Sequence, residues 1–449
     1  LRFQLKQFTN NFIFEVIRYR MALTCRLIFI KIKLWEGVAV IKTKITSLVI
    51  GLILGAGLGL YGNIDDDVMA AKTDSQTTKA VKQAKSLSQQ YQYKEAKSVL
   101  SGHKGTTVDH LKKSINKQQS KLVTWDDPTK ISHLFFHSLI VDPGKAFSSK
   151  QAQGYKDYMV TIDEFMPMLN QLYDNGYVLI NFKDIVSIDK QGKVTFKPVK
   201  LPEGKKPLII SQDDVNYYEY MKNSGFADKL VVNKQGDVKN QYTNNGQKKI
   251  GDYDMVPIID TFVKKHPDFS YGGSKGVIAE TGYNGVLGYR SSKSQYGDTK
   301  KTHREAKKAT KVANAMKKEG WQFASHSWGH INMTTASVDD IKKDTALWQK
   351  EVQPIVGKTP VLIFPFGADI GSFTNYTNDN AKYTYLKSSG FSIFDNVDAS
   401  QTSWGQLTND YYRNARIDVD GIRLHETMTG ENTVLNDFFN TKDFYHRDK

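Results

Sequence analysis

Two pairs of side chains in this sequence could hold a metal ion and activate water. His326 and His330 lie four residues apart after a short apolar run. That spacing lets two imidazoles reach one cation, whether the backbone is a helical turn or a tight loop after a strand. Asp213 and Asp214 end another apolar run, and adjacent residues of a strand point in different directions. One carboxylate could therefore bind the cation while the other accepts a proton.

A third histidine, His425, could protonate a leaving group. It follows residues 421–424 at what we predict to be another strand end. Taken singly, the pair His326 and His330 could be a core histidine beside an exposed one, Asp213-Asp214 a solvated turn, and His425 a structural histidine. Their shared position at predicted strand ends favours one hydrolytic site, in which two imidazoles and one carboxylate bind a divalent cation.

The elements that must position these residues alternate between strand and helix from about residue 131. The predicted strands cover residues 131–141, 177–180, 207–210, 321–324, 361–364 and 391–394. The predicted helices cover residues 161–174, 256–265, 304–319, 338–352 and 381–388, and residues 268–300 are predicted to be a long loop. This alternation, with polar residues at strand ends, is typical of a parallel barrel or a doubly wound sheet. Both folds bear their chemistry at the carboxyl ends of strands.

The motifs resemble those of the NodB-homology polysaccharide deacetylases, carbohydrate esterase family 4, over residues 130–430. Ser211-Gln212-Asp213-Asp214 resembles the first motif of that family, Thr-Phe-Asp-Asp, and His326-Ser327-Trp328-Gly329-His330 is similar to the second. Phe364-Pro365-Phe366-Gly367 resembles the end of the third, and Arg423-Leu424-His425 resembles the fifth. The resemblance implies an α/β fold, the distorted (β/α) barrel of this family, and metal-dependent N-deacetylation.

The resemblance also implies a role for each motif residue. Asp214, His326 and His330 would bind zinc or a similar divalent cation. Asp213 would be the general base for the attacking water, and a backbone N–H near Phe366 would stabilise the oxyanion. His425 would then protonate the departing amine.

Two family motifs are incomplete in this sequence. Ile363 occupies the third-motif position at which the family carries an arginine that orients the catalytic aspartate. Arg416 is the candidate replacement, and the alternative is an ordinary surface arginine. In the fourth motif Asp398 and Trp404 are recognisable, and Asp398 would either position His425 or cap a helix.

The sequence of the N-terminal segment predicts that the protein is exported from the cytoplasm. Residues 1–40 form no recognisable domain, and we expect translation to begin near Val40. Lys42 and Lys44 precede an apolar stretch over residues 45–64 that is long enough to span a bilayer. Residues 41–70 are therefore predicted to be a signal peptide, cleaved before Ala71, or an uncleaved anchor. Residues 71–127 are predicted to be a helical stalk, and residues 128–449 the catalytic domain.

The net charge and the cysteine content limit the kinds of partner and metal site that this protein could have. The formal net charge is +15 and the pI about 9.3, which suits an anionic environment, but no nucleic-acid-binding motif is present. Cys25 is the only cysteine, so a disulfide framework and a thiolate metal site are both excluded. We expect a monomer that contacts a membrane through its N-terminal helix and binds no nucleic acid.

The leading hypothesis is an N-deacetylase of N-acetylglucosamine polymers in the cell wall or biofilm. We expect it to be extracellular, anchored in the membrane or secreted to the cell wall of a Gram-positive bacterium. Tyr283, in the predicted loop, is a candidate substrate contact. The alternatives are a carbohydrate O-deacetylase and a non-catalytic wall-binding protein on the same scaffold.

Overall fold

The computed structural model describes residues 64–447, and the side chains from Ser75 onward. The chain divides into two units after Asp74, and every strand of the described residues belongs to the second unit. Residues 1–40 lie outside the described residues, and so do residues 41–63 of the predicted signal or anchor segment. No helix within residues 64–447 has the length and apolar character needed to cross a membrane.

Helices and short strands alternate along most of the described part of the chain. The helices, in chain order, are α1 (Ile64–Gln89), α2 (Tyr93–Val99), α3 (Thr106–Gln119), α4 (Pro143–Ala146), α5 (Ala152–Tyr158), α6 (Ile162–Asp174), α7 (Phe182–Ile185), α8 (Met255–Lys265), α9 (Lys293–Tyr296), α10 (Lys300–Glu319), α11 (Val338–Glu351), α12 (Gln353–Val356), α13 (Ala381–Ser388) and α14 (Gly421–Thr429). The strands are β1 (Leu122–Trp125), β2 (Ser132–Phe136), β3 (Tyr177–Leu179), β4 (Val186–Ile188), β5 (Val194–Phe196), β6 (Val199–Pro202), β7 (Lys206–Asp213), β8 (Lys229–Val232), β9 (Val238–Asn244), β10 (Gln247–Gly251), β11 (Gly276–Glu280), β12 (Trp321–Ser325), β13 (Val361–Ile363), β14 (Ile393–Val397), β15 (Gly405–Leu407) and β16 (Tyr412–Asp418). Short 3-10 helices lie at Pro128–Lys130, Glu219–Met221, Pro267–Phe269, Pro365–Gly367, Val434–Asp437 and Thr441–Asp443.

Parallel strands close into a barrel in the order β7, β11, β12, β13, β14, β16, β2 and back to β7. The barrel is distorted at β7, because two different strands pair with the same edge of this strand. Its first half pairs with β3, where Leu179 lies opposite Leu208, and its second half pairs with β11, where Ala279 lies opposite Asp213. The prediction of a parallel α/β barrel is confirmed.

Alternation along the strands decides which side chains enter the barrel. Leu208 and Ile210 of β7 pack outward in the cluster that includes α6, α8 and α10. Ile209 belongs to a second cluster inside the barrel, together with residues of β11, β12, β13 and β14. Because successive side chains of a strand point to opposite faces, Asp213 faces the interior, like Ile209. Residues of matching parity on the other strands face the same interior.

Several predicted boundaries are wrong. The predicted loop over residues 268–300 contains β11, which is short, lies between glycines and follows no long apolar run. β16 is an additional strand that the sequence pattern does not predict, because Arg413, Asn414 and Arg416 interrupt its apolar residues. His425 does not follow a strand: Asp420 accepts a hydrogen bond from the Arg423 N–H at 2.9 Å and caps α14, which carries His425.

Helices α1 to α3 precede the barrel and have an apolar cluster of their own, which includes Ala84, Tyr93, Leu100 and Ile115. They also contact the barrel domain through the turn after α1. The Tyr91 hydroxyl donates to the carbonyl of Asp268 at 2.7 Å, and its ring stacks on Tyr271 with centroids 6.2 Å apart. The predicted role of this segment as a stalk stays a prediction.

Candidate metal centre and active site

The ends of β7 and β12 bring the two predicted pairs of residues together. Asp214 follows β7, and its backbone N–H donates to the carbonyl of Ala279 at 3.1 Å. His326 follows β12, and His330 lies in the loop after it. Asp214, Ser327 and His330 have φ angles of 60°, 56° and 51°. Such left-handed backbone is costly for residues with side chains and is concentrated at functional sites.

Asp214, His326 and His330 form a group of potential metal ligands. One donor atom from each residue lies within 4.8 Å of the donor atoms of the other two. The nearest oxygen of Asp214 is 3.8 Å from Nε2 of His330, and the two imidazole centroids are 4.9 Å apart. Two imidazoles and one carboxylate are a donor set that zinc and similar cations accept, with further positions open to water or substrate.

Neighbouring groups orient two of these ligands. Nδ1–H of His326 donates to the carbonyl of Ile363 at 2.9 Å, which leaves Nε2 as the metal-facing nitrogen. The hydroxyl of Tyr218 donates to Oδ1 of Asp214 at 2.6 Å, and the Oδ2 atom faces His330. Burial lowers the pKa of His326 to about 4, although Asp213 acts in the opposite direction. The imidazole is therefore neutral at neutral pH, as metal binding requires.

The second aspartate, Asp213, is buried beside this group and paired with Arg416. Nη1 of Arg416 donates to both carboxylate oxygens, at 2.8 and 2.9 Å. Its guanidinium lies over the ring of Phe135, 4.0 Å from the centroid. Burial raises the pKa of Asp213, but Arg416, with help from His326 and His137, outweighs burial, so the pKa is lowered. Asp213 is therefore a carboxylate at neutral pH, and its Oδ2 atom lies 3.6 Å from Nε2 of His326.

A buried polar layer lies among the same strands below Asp213. His133 bonds to Asn414 at 2.9 Å and to Ser211 at 2.8 Å. Burial lowers the pKa of His133 to about 3. Burial also raises the pKa of Asp395 well above its usual range, although Arg416 acts to lower it. His133 is therefore neutral at neutral pH, and Asp213 is the carboxylate that Arg416 contacts directly.

Side chains of α11 form hydrogen bonds to the segment between the two histidines. Asp344 accepts hydrogen bonds from the backbone N–H groups of Trp328 and Gly329, both at 2.7 Å. Glu351 accepts from the indole N–H of Trp328 at 3.0 Å. A Cβ atom on Gly282 would lie 1.9 Å from Cδ1 of Trp328. The loop after β11 thus requires a glycine where it crosses the motif.

These residues form the floor of an open cleft of about 570 Å³. Asp213, Asp214, His326, His330 and Arg416 all line it. The rim includes aromatic side chains and a further histidine, namely Tyr155, Tyr158, Tyr220, Phe366 and His137. The floor therefore combines a possible cation site with an ionised base, and the rim offers apolar surface.

Phe366 packs against His330, one of the three potential metal ligands. Its ring packs edge-on against His330 with centroids 4.4 Å apart, and its side chain is 68% exposed. Phe366 and Gly367 have φ angles of 59° and 63°, so the chain turns sharply above the cleft. The role of a backbone N–H near Phe366 in stabilising an oxyanion stays a prediction.

His425 is not brought to this cleft. It lies on the exposed side of α14 and lines a different cavity, together with Lys156 and Glu431. The helix turns His425 away because it begins at Gly421, before the motif resembling the fifth family motif is complete. The histidine that does line the cleft is His137, which follows β2 and acts on the pKa of Asp213. The sequence predicts His137 within a strand, and no spacing signal marks it for a chemical role.

Asp398 and Tyr283 lie outside the floor of the cleft. Oδ1 of Asp398 accepts the N–H of Ser400 at 2.9 Å in a local turn, and no helix begins between Val397 and Gly405, so Asp398 does not cap a helix. Tyr283 stacks on Tyr218 with centroids 4.7 Å apart and therefore stands behind a side chain that binds Asp214. Its predicted direct contact with substrate stays a prediction.

Comparison with known proteins agrees with the motif assignment. Residues 298–387 match a family model described as polysaccharide deacetylase. The matched segment contains His326, His330 and Phe366, whereas Asp213 and Asp214 lie upstream of it.

One similar solved structure is the Streptococcus pyogenes deacetylase PplD in complex with acetate. It is 13% identical, with a TM-score of 0.35, and the alignment covers 67% of this chain and 99% of that one. No curated protein matches the chain. Over residues 298–387 the chain is therefore similar to polysaccharide deacetylases, and this similarity supports the prediction of a hydrolytic deacetylase enzyme.

Proposed function

We propose that this protein is a metal-dependent N-deacetylase that acts on N-acetylglucosamine units of a cell-wall or biofilm polysaccharide. One observation carries the proposal: a group of one carboxylate and two imidazoles lies beside a buried aspartate that is paired with arginine, on the floor of an open cleft. Hydrolysis of an unactivated amide needs both an activated water and a base beside it.

Asp214, His326 and His330 would hold the cation, and zinc is the ion that fits this donor set best. When bound, such a cation lowers the pKa of water and polarises the acetamide carbonyl. The residues are prepared for this, because the His326 imidazole is neutral and Tyr218 occupies the other oxygen of Asp214. A backbone N–H near Phe366 would donate to the developing oxyanion.

Asp213 accepts a proton from the attacking water while the oxygen of that water bonds to the acetamide carbon. Arg416 fixes both carboxylate oxygens, so the base has a defined position. Cleavage of the carbon–nitrogen bond then releases acetate and requires a proton on the departing amine. We assign that proton transfer to His137, because it lines the cleft and His425 does not.

The location and assembly of the protein belong to the same proposal. An apolar stretch over residues 45–64, after Lys42 and Lys44, supports export by a signal peptide or membrane anchor. The basic net charge and the near absence of cysteine suit the surface of a Gram-positive bacterium. We propose an extracellular monomer that contacts the membrane through this segment.

Acetate release from defined polymers tests the proposed substrate. Zinc-loaded protein should release acetate from poly-β-1,6-N-acetylglucosamine or peptidoglycan and should leave acetylxylan intact. Release from acetylxylan alone would establish the O-deacetylase instead. Bound zinc with no acetate from any of the three polymers would contradict the proposed enzyme and favour a wall-binding protein.

A further inference from the structure

Exposed aromatic side chains are concentrated at the proposed active-site cleft. Among the described residues, Tyr158, Tyr220, Phe366 and Phe373 are the exposed large aromatic residues, with exposed fractions of 53%, 50%, 68% and 61%. The first three line the cleft, and Phe373 does not. Three elements supply them: the end of α5, the 3-10 helix Glu219–Met221 and the turn at Pro365–Gly367. Apolar surface is usually buried, so its concentration here indicates a binding function.

Tyr220 is held rigidly by a column of stacked rings. It lies nearly parallel to Tyr218, with an interplanar angle of 16° and centroids 5.4 Å apart. Tyr218 in turn stacks on Tyr283 at 14° and 4.7 Å. The Tyr218 hydroxyl bonds to Asp214 and to Thr281. The orientation of the exposed ring is therefore fixed relative to the metal-binding carboxylate.

Phe366 and Tyr158 complete the rim. The ring of Phe366 rests on His330, so it also has a fixed position relative to the metal ligands. Tyr158 ends α5, whose Tyr155 packs edge-on against Phe226 with centroids 4.8 Å apart. Asp418 and Asp420 line the same cleft and offer oxygens to hydroxyl groups. Flat rings next to hydrogen-bonding carboxylates suit a sugar better than an acyl chain, which has no polar edge.

We propose that Tyr158, Tyr220 and Phe366 are stacking platforms for pyranose rings of one β-linked N-acetylhexosamine chain, so that the substrate is an extended polymer and not a monosaccharide. In a β-linked chain with equatorial substituents, each ring presents axial C–H groups on its faces, and these pack on aromatic rings. An aromatic side chain with a polar tip serves both the apolar face and the wet edge of such a ring. This inference rests on the proposed function and defines the length and shape of its substrate.

Binding of a pentamer of β-1,6-linked N-acetylglucosamine to metal-depleted protein tests the inference. By titration calorimetry we expect Tyr220→Ala and Tyr158→Ala each to raise Kd about tenfold, the weakening expected when one stacked ring is lost. Tyr220→Phe should bind like the wild type, because it keeps the ring. Phe373→Ala is the matched control, since it removes an equally exposed ring outside the cleft. Equal affinity for Tyr220→Ala, Tyr158→Ala and Phe373→Ala would overturn the inference.

Turnover separates this inference from the proposed function. In zinc-loaded protein, Tyr220→Ala should raise KM for the pentamer about tenfold, the loss of one stacked ring, and should impair hydrolysis of the small ester 4-nitrophenyl acetate much less, whereas Phe373→Ala should leave the kinetics with both substrates unchanged. An equal loss on the pentamer and on the small ester would overturn the stacking role. If the wild type binds the pentamer but releases no acetate from it, the proposed deacetylase function is refuted, whereas the stacking role of the aromatic residues is still supported.

Discussion

Asp213→Asn is expected to lower kcat for acetate release by about 10³-fold, within the range that a positioned base contributes, while the metal content stays unchanged. The amide cannot accept the proton of the attacking water, whereas Asp214, His326 and His330 remain available to the cation. Acetate release and metal content should be measured on the same protein samples. This would be the largest effect on turnover that leaves the metal group intact.

Asp260→Asn is the matched control for that substitution. Asp260 is also a buried aspartate bonded to a cation, Lys275 at 2.6 Å, and it accepts the indole N–H of Trp321 at the amino end of β12. It lies at the opposite end of the strand from His326. We expect Asp260→Asn to reduce stability and to keep kcat. Full activity in Asp213→Asn, or an equal loss in both variants, would refute the assignment of the base.

Arg416→Met is expected to have the second large effect, on both stability and catalysis. The substitution leaves the carboxylate of Asp213 buried without its cation, and breaking a buried pair in this way costs about 3–5 kcal/mol. Arg413→Met is the control, because Arg413 lies on the same strand, is equally buried, and pairs with Asp369 at 2.6 Å. Both variants should unfold at lower denaturant concentration, but activity per folded molecule should fall in Arg416→Met alone.

The pH profile distinguishes a positioning role of Arg416 from a purely structural one. Arg416 is the main group that lowers the pKa of Asp213, against burial, which raises it. Without the guanidinium the effect of burial remains, so the pKa rises and the acid limb of kcat/KM moves to higher pH. Arg413→Met should leave the limb in place. If Arg416→Met does not fold, Arg416→Gln, which also lacks the cation, provides the same comparison; an unshifted acid limb in the variant that folds would contradict the role.

The parts of this site that follow strand periodicity could be predicted from the sequence. Asp213 and His326 each end an apolar run, and the alternation of side chains directs both into the barrel. Asp214 and His330 are their near neighbours in sequence. Each pair of site residues therefore lies within a few consecutive residues. The positions of both pairs at strand ends could be predicted from the pattern of those residues alone.

The remainder depends on contacts between distant segments. Arg416 lies 203 residues after Asp213, on a strand too polar to be recognised. The pairings of β16 with β2 and of β2 with β7 bring the two residues together. The order of the motifs predicts His425 at a strand end, but the cap at Asp420 begins a helix there. Tyr218 and Tyr220 follow Asp214 in the sequence, yet only the stack with Tyr283 gives them a shared direction.

Metal depletion and repletion is the measurement that tests the central claim most directly. Protein stripped with a chelator should lose acetate release from poly-β-1,6-N-acetylglucosamine, and titration with zinc should restore it in proportion to the metal bound, up to a single ion per chain. His326→Ala should neither retain that ion nor recover activity. Undiminished acetate release from stripped protein, or full metal binding by His326→Ala, would contradict the account.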